Sequence, residues 1–124
     1  MKLIKILFFL INLILIIFYI YPGSIFGCIF YQDCSIQPQL TKDFVISSNH
    51  FYTFLVISLY GFIVFYKNYK NFIIFYLLSL SVILEISHLI IPNRSFQLSD
   101  IFGNIAGVIF SFVIIKFIYA WRQK

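Results

Sequence analysis

Residues 72–104 read "FIIFYLLSLSVILEISHLIIPNRSFQLSDIFGN" and hold the pattern that decides the fold. The apolar run 72–91 is long enough for a membrane-spanning helix, because about 20 residues cross a hydrocarbon core of ~30 Å. Pro92 ends this run, since proline cannot continue the interior of a helix. A second apolar run begins at Ile101, after a short polar segment. The stretch therefore predicts two membrane-spanning helices joined by a tight turn.

The composition of the whole chain supports the same conclusion. Of its 124 residues, 62% are hydrophobic and 10% are charged, and the mean hydropathy is +1.00. Soluble domains carry roughly 25% charged residues, and a small one cannot bury so much apolar surface. We therefore expect an integral membrane protein with a single domain, 1–124. The sequence contains no Gly-rich nucleotide-binding loop and no long internal repeat, so it indicates neither a nucleotide-binding protein nor a repeat protein.

The length criterion predicts an all-α bundle of four membrane-spanning helices. They are placed at approximately residues 3–21, 48–66, 72–91 and 101–121. The longest connection, residues 22–47, then forms an outer loop that opens with Pro22 and Gly23. One alternative for the first run is a cleaved signal peptide. The run exceeds the 7–15 apolar residues that are typical of a signal core, and this favours a retained helix.

The distribution of basic residues predicts the orientation. With the N-terminus inside, the inner segments hold seven Lys and Arg residues, whereas the outer loops hold only Lys42 and Arg94. Those seven are Lys2, Lys5, Lys67, Lys70, Lys116, Arg122 and Lys124. Short cytoplasmic loops carry such an excess, so both termini are expected to be cytoplasmic. The net charge of +5 is explained by orientation, and we expect no nucleic-acid partner.

Polar residues recur at helical spacing near the predicted outer surface. Ser81, Glu85 and His88 share one face of the third span, because positions i, i+4 and i+7 align. Asp100 and Asn104 begin a matching stripe on the fourth span, which continues to Gly107 and Ser111. Six side chains are predicted to converge as a binding site: His50, Glu85, His88, Arg94, Asp100 and Asn104.

A buried acid at this depth requires compensation. An unpaired charge in hydrocarbon costs at least ~2.5–3.5 kcal/mol, so Glu85 must face the bundle interior, be protonated or be paired. We expect the Arg94 guanidinium to reach back to Glu85 or Asp100. Gly103 and Gly107 form a GxxxG pattern that permits close helix approach. This pattern is expected to bring the fourth span against the Glu85 face of the third. The cluster is interpreted either as a structural clasp or as a ligand site.

The outer loop contains both cysteines of the chain, Cys28 and Cys34. In an oxidising compartment they could form a disulfide, and their spacing is compatible with closure. Two free thiols are the alternative.

No cofactor and no metal are expected from the sequence. Glu85 and His88 form a Glu-x-x-His pair, but di-iron bundles need two such pairs and two further carboxylates. A single zinc ion bound by His50, Glu85 and His88 is the alternative.

The polar pattern resembles that of the VanZ-like family of small bacterial membrane proteins, over roughly residues 47–115. The residues that carry the resemblance are His50, Glu85, Pro92, Arg94, Asp100, Asn104 and Gly107. It implies a multi-pass protein of the bacterial inner membrane. The member that gives the family its name is associated with resistance to teicoplanin, a lipid-tailed glycopeptide antibiotic. Two positions depart from the family pattern: Ile46 and Ser47 replace an Asp-Lys pair, and His88 replaces a common Gln.

Three functions are compatible with these features. The leading hypothesis is a non-enzymatic protein of the cell envelope that contacts membrane lipids and binds a lipid headgroup or a lipoglycopeptide antibiotic. The alternative is a small membrane enzyme that acts on a lipid-linked substrate, with Glu85 or His50 as a general base. A transporter is disfavoured, because the inner halves of the spans carry no charge that would mark a polar path. The sequence leaves the oligomeric state and the ligand open.

Overall fold

The computed structural model describes residues 2–43 and 45–122. These residues form an all-helical fold without a strand, which confirms the all-α part of the prediction. The four helices are α1 (Lys2–Ile20), α2 (Ile25–Tyr31), α3 (Ser48–Ser87) and α4 (Leu98–Trp121). Lys124, which was counted among the inner basic residues, lies outside the described residues.

Helix α3 contains a sharp break at Tyr69, whose φ of −138° and ψ of 35° are not helical. A straight helix of 40 residues would be about 60 Å long. However, His50 Nδ1 lies only 3.8 Å from Glu85 Oε2. The residues before and after the break therefore lie side by side, as a first limb (48–68) and a second limb (70–87).

The sequence explains the position of this break. It lies within "KNYKN", residues 67–71, where all five side chains are exposed. Asparagine has a low helix propensity, and these exposed side chains bury little apolar surface that would stabilise a continuous helix. The break falls in the connection predicted between the second and third spans. The two limbs thus correspond to those spans, and the second limb ends at Ser87, earlier than the predicted residue 91.

Three helices, α1, α3 and α4, are long and apolar enough to cross a membrane. Large apolar side chains are exposed on each of them, for example Leu10, Val56 and Phe117. Extensive exposed apolar surface is rare on soluble monomers. These features are consistent with the predicted membrane protein.

A small residue and a polar contact help α1 to pack against both limbs of α3. A Cβ atom at Gly61 would lie 2.9 Å from the Phe8 ring, so the missing side chain makes room for that buried ring. Asn12 is also buried, and its Oδ1 accepts a hydrogen bond of 3.0 Å from the Tyr76 hydroxyl. Helix α1 is thereby joined to both limbs of α3.

Helix α4 packs closely against the first limb. Cβ atoms at Gly103 and Gly107 would lie 2.7 Å from Ser47 O and 2.6 Å from Phe51 O. The predicted close approach is therefore present, but only part of the stripe lies against the predicted partner. The glycines face the limb that carries His50, whereas Asn104 between them reaches the second limb by donating to Ser81 O at 3.0 Å. The stripe on α4 therefore contacts both limbs.

The segment predicted as an outer loop contains the short helix α2. The Ser24 hydroxyl caps this helix by accepting a hydrogen bond from Gly27 N at 3.0 Å. Cys28 and Cys34 are joined by a disulfide, and Ser24 N donates to Cys34 O at 2.8 Å. The segment is therefore folded back on itself beside the end of α1.

Candidate functional site

Four helical segments meet at one end of the bundle: the end of α1, the start of the first limb, the end of the second limb and the start of α4. Four of the predicted site residues are buried there, namely His50, Glu85, His88 and Asn104. Asp100 is partly buried beside them. The structure thus brings together five of the six predicted residues, which we call the polar cluster.

Glu85 lies at the centre of the polar cluster and is fully buried. Its Oε1 accepts a hydrogen bond from Gln97 N at 3.2 Å and lies 3.2 Å from His88 Nδ1. Its Oε2 has no hydrogen-bond partner among the described residues. His50 Nδ1 lies 3.8 Å from Oε2, which is too far for a hydrogen bond.

His50 lies between the two acids of the cluster. Its Nδ1 is 3.1 Å from Asn104 Oδ1, and its Nε2 is 3.5 Å from Asp100 Oδ2. The Asn104 amide is oriented by donating to Ser81 O, so its oxygen faces the imidazole. Because an amide oxygen can only accept, His50 Nδ1 is the donor of this contact.

His88 completes the environment of Glu85. Its Nδ1 faces Glu85 Oε1 at 3.2 Å, and its Nε2 faces Tyr19 O at 3.1 Å. The carbonyl of Tyr19 can only accept, so His88 Nε2 donates to it. The contact with Glu85 therefore requires a second proton, carried either by His88 Nδ1 or by the carboxyl group. Either way, His88 holds one oxygen of Glu85 in place.

Arg94 does not form the predicted ion pair with Glu85 or Asp100. Instead, its Nε donates to Tyr21 O at 3.2 Å, and an Nη donates to Phe18 O at 2.8 Å. The last carbonyls of a helix lack intrahelical partners and favour a nearby cation. Burial lowers the pKa of Arg94, and the neighbouring acids oppose this effect. Arg94 thus lies at the rim of the cluster and anchors the end of α1.

Sequence reasoning missed Tyr19, which contacts three members of the cluster. Its hydroxyl donates to Asn104 Oδ1 at 3.0 Å and lies 3.1 Å from His50 Nδ1. Its ring stacks on that of His88, with centroids 5.7 Å apart. A signal was present in the sequence, because Phe8, Asn12, Leu15 and Tyr19 recur at helical spacing. These are the buried residues of α1.

Two cavities meet at the polar cluster. A polar cavity of about 140 Å³ is lined by polar and charged side chains that include His50, His88, Arg94 and Asp100. An apolar groove of about 960 Å³ runs between α1, α2 and the first limb, past residues such as Ile14 and Val56. Four residues line both cavities: Ser24, Gln37, His50 and Arg94. One bound molecule could therefore contact a polar and an apolar surface at once.

Comparisons of the chain with protein-family models, curated proteins and solved structures found no match. The VanZ-like resemblance therefore stays a prediction that depends on the motif residues.

Proposed function

We propose that this protein crosses the membrane four times, with both termini in the cytoplasm, and binds an amphiphile at its outer end. The headgroup lies in the polar cavity, and the acyl chain lies in the apolar groove. The observation that carries this proposal is that His50 and Arg94 line both cavities. Ligand sites commonly combine a large apolar surface with a few convergent polar groups.

Three features support this topology. Residues 48–68 would span about 31 Å as a helix, which matches the hydrocarbon thickness. The break in α3 carries Lys67 and Lys70, as expected of a cytoplasmic turn. Cys34, one half of the disulfide, lines the polar cavity. Disulfides persist in oxidising compartments outside the cytoplasm, which supports an outward-facing polar cavity.

The chemistry of Arg94 favours an anionic headgroup. A guanidinium has five N–H donors, and its contacts with α1 use two of its nitrogens. The remaining donors are available to the polar cavity, which Arg94 lines. Guanidinium groups bind phosphate and carboxylate strongly and with defined geometry. The proposed ligand is thus an anionic phospholipid or a lipid-tailed compound with a carboxylate. Lipoglycopeptide antibiotics such as teicoplanin, which the VanZ-like resemblance implies, belong to the second group.

The experiment is a titration of the detergent-purified protein with a fluorescent anionic phospholipid. Val56→Trp places a large ring in the apolar groove, and we expect it to weaken binding about tenfold, or ~1.4 kcal/mol. Val113→Trp is the matched control, because Val113 is exposed on α4 and does not line the groove. A zwitterionic lipid with the same acyl chains tests the headgroup and should bind more weakly. Equal affinity of both tryptophan variants would contradict the proposal.

A second candidate function is an enzyme that acts on a lipid-linked substrate. It is favoured by the position of His50, whose two ring nitrogens lie 3.8 and 3.5 Å from the carboxylates of Glu85 and Asp100. An imidazole beside carboxylates is a common general acid–base arrangement. Incubation of the purified protein with labelled envelope lipids distinguishes the two functions: conversion of the lipid supports the enzyme, and binding without conversion supports the first proposal.

A further inference from the structure

We propose that His50, Glu85 and Asp100 bind a divalent transition-metal ion at the buried end of the polar cavity. This site goes beyond the proposed amphiphile binding and depends on different observations. The three residues each offer one ligand atom, and these atoms all lie within 4.8 Å of one another. One imidazole with two carboxylates is a donor set that suits zinc, manganese and iron.

The distances between the donor atoms fit a metal ion better than direct hydrogen bonds. His50 Nε2, the nitrogen that would bind the ion, lies 3.5 Å from Asp100 Oδ2, and one ligand atom from each of the three residues lies within 4.8 Å of the others. Hydrogen bonds between nitrogen and oxygen are about 2.7–3.2 Å long. Zinc bonds of about 2.0–2.1 Å in tetrahedral geometry hold their ligand atoms about 3.3–3.4 Å apart. Small movements of side chains would therefore suffice to form the site.

Glu85 provides an independent indication of a ligand. Its side chain is fully buried, and its Oε2 has no hydrogen-bond partner among residues 2–43 and 45–122. A buried carboxylate oxygen without a partner is unfavourable. Oε1 is held by Gln97 N and His88, so the carboxylate is fixed with Oε2 on the side of His50. A metal ion bound there would satisfy this oxygen.

The imidazole of His50 is also oriented as in known metal sites. A histidine ligand usually donates its other N–H to a neighbouring oxygen, which fixes the tautomer. His50 Nδ1 donates to Asn104 Oδ1 at 3.1 Å, and Asn104 is itself held by Ser81 O. Nε2 is then the nitrogen with a free lone pair, and it faces Asp100 Oδ2. Two electron-rich atoms that face each other favour a cation between them.

The balance of charge supports the same conclusion. Among the described residues, the ion-pair partners of Glu85 and Asp100 are all histidines. No Lys or Arg nitrogen in this part of the chain lies within 4.0 Å of either carboxylate. A divalent ion would neutralise both carboxylates. His88 is a positioning residue rather than a ligand, because its nitrogens face Glu85 Oε1 and Tyr19 O. The proposed site therefore differs by one ligand from the zinc site that the sequence suggested as an alternative, since Asp100 takes the place of His88.

The test uses tag-free protein in detergent, treated with EDTA and then dialysed against Zn²⁺. Elemental analysis should find about one zinc per chain. Glu85→Gln and Asp100→Asn remove one ligand each with little change in shape, and each should weaken zinc binding at least tenfold. Asp33→Asn is the matched control, because it removes an exposed carboxylate from the segment between α2 and the first limb. It should bind zinc as the unmodified protein does.

The site would be disproved if the unmodified protein retained no zinc, or if Asp100→Asn bound zinc as tightly as Asp33→Asn. Circular dichroism establishes whether each variant is folded. If Glu85→Gln fails to fold, Asp100→Asn decides the result, because Asp100 is partly exposed. Zinc binding is measured without added lipid, and lipid binding is measured in EDTA, so the failure of either proposal is distinguishable from failure of the other.

Discussion

At the scale of single residues, the polar cluster is held together by side chains that each join two helices. Tyr19 on α1 donates to Asn104 on α4, and Asn104 donates to Ser81 on the second limb. The sequence predicted the residues of the cluster because polar positions at helical spacing are conspicuous in apolar spans. The contacts of Arg94 could not be predicted in this way, because the carbonyls that it binds belong to the end of a distant helix.

The role of Tyr19 can be tested by Tyr19→Phe, which removes the hydroxyl and keeps the stacked ring. We expect the free energy of unfolding to fall by about 1 kcal/mol, because a buried hydrogen bond contributes about that much. The measurement is unfolding by SDS in mixed micelles. Tyr31→Phe is the control, since Tyr31 is exposed on α2, and its effect should stay within about 0.5 kcal/mol. Equal effects of the two substitutions would show that the Tyr19 hydroxyl does not stabilise the cluster.

At the scale of elements, the lengths of the apolar runs and their polar boundaries predicted the helices, including the connection at Tyr69. They did not predict the partner of the GxxxG pattern on α4. Small residues show that a helix approaches a neighbour closely, but the choice of neighbour depends on how all the helices pack. Helix α2 was not predicted either, because seven residues are too few to show a helical period.

The close packing of α4 predicts a specific cost for Gly107→Ala. The new Cβ would lie 2.6 Å from Phe51 O and 2.8 Å from Leu55 N. These are backbone atoms, so the helices must separate, and we expect a loss of about 1–3 kcal/mol in unfolding free energy. Ala120→Leu adds more atoms at an exposed position of the same helix and should change stability by less than about 0.5 kcal/mol. A comparable loss in both variants would contradict the packing described for α4.

At the scale of the whole molecule, the two ends of the bundle differ in character. One end carries the polar cluster, the polar cavity, the disulfide and Arg94. The opposite end carries the exposed turn at Tyr69 with Lys67 and Lys70. The proposed orientation in the membrane depends on this asymmetry. Both proposals concern the first of these ends, and amphiphile binding from the outer leaflet requires that this end face outward.

The most direct test of this claim is the labelling of single cysteines in intact cells with a membrane-impermeant maleimide. Ser95→Cys lies in the exposed turn before α4, and Asn68→Cys lies at the opposite end beside Tyr69. Cys28 and Cys34 are joined to each other and offer no free thiol. We predict that Ser95→Cys is labelled in intact cells and that Asn68→Cys is labelled only after permeabilisation. The reverse pattern would place the polar cavity on the cytoplasmic side and would contradict the proposed orientation and function.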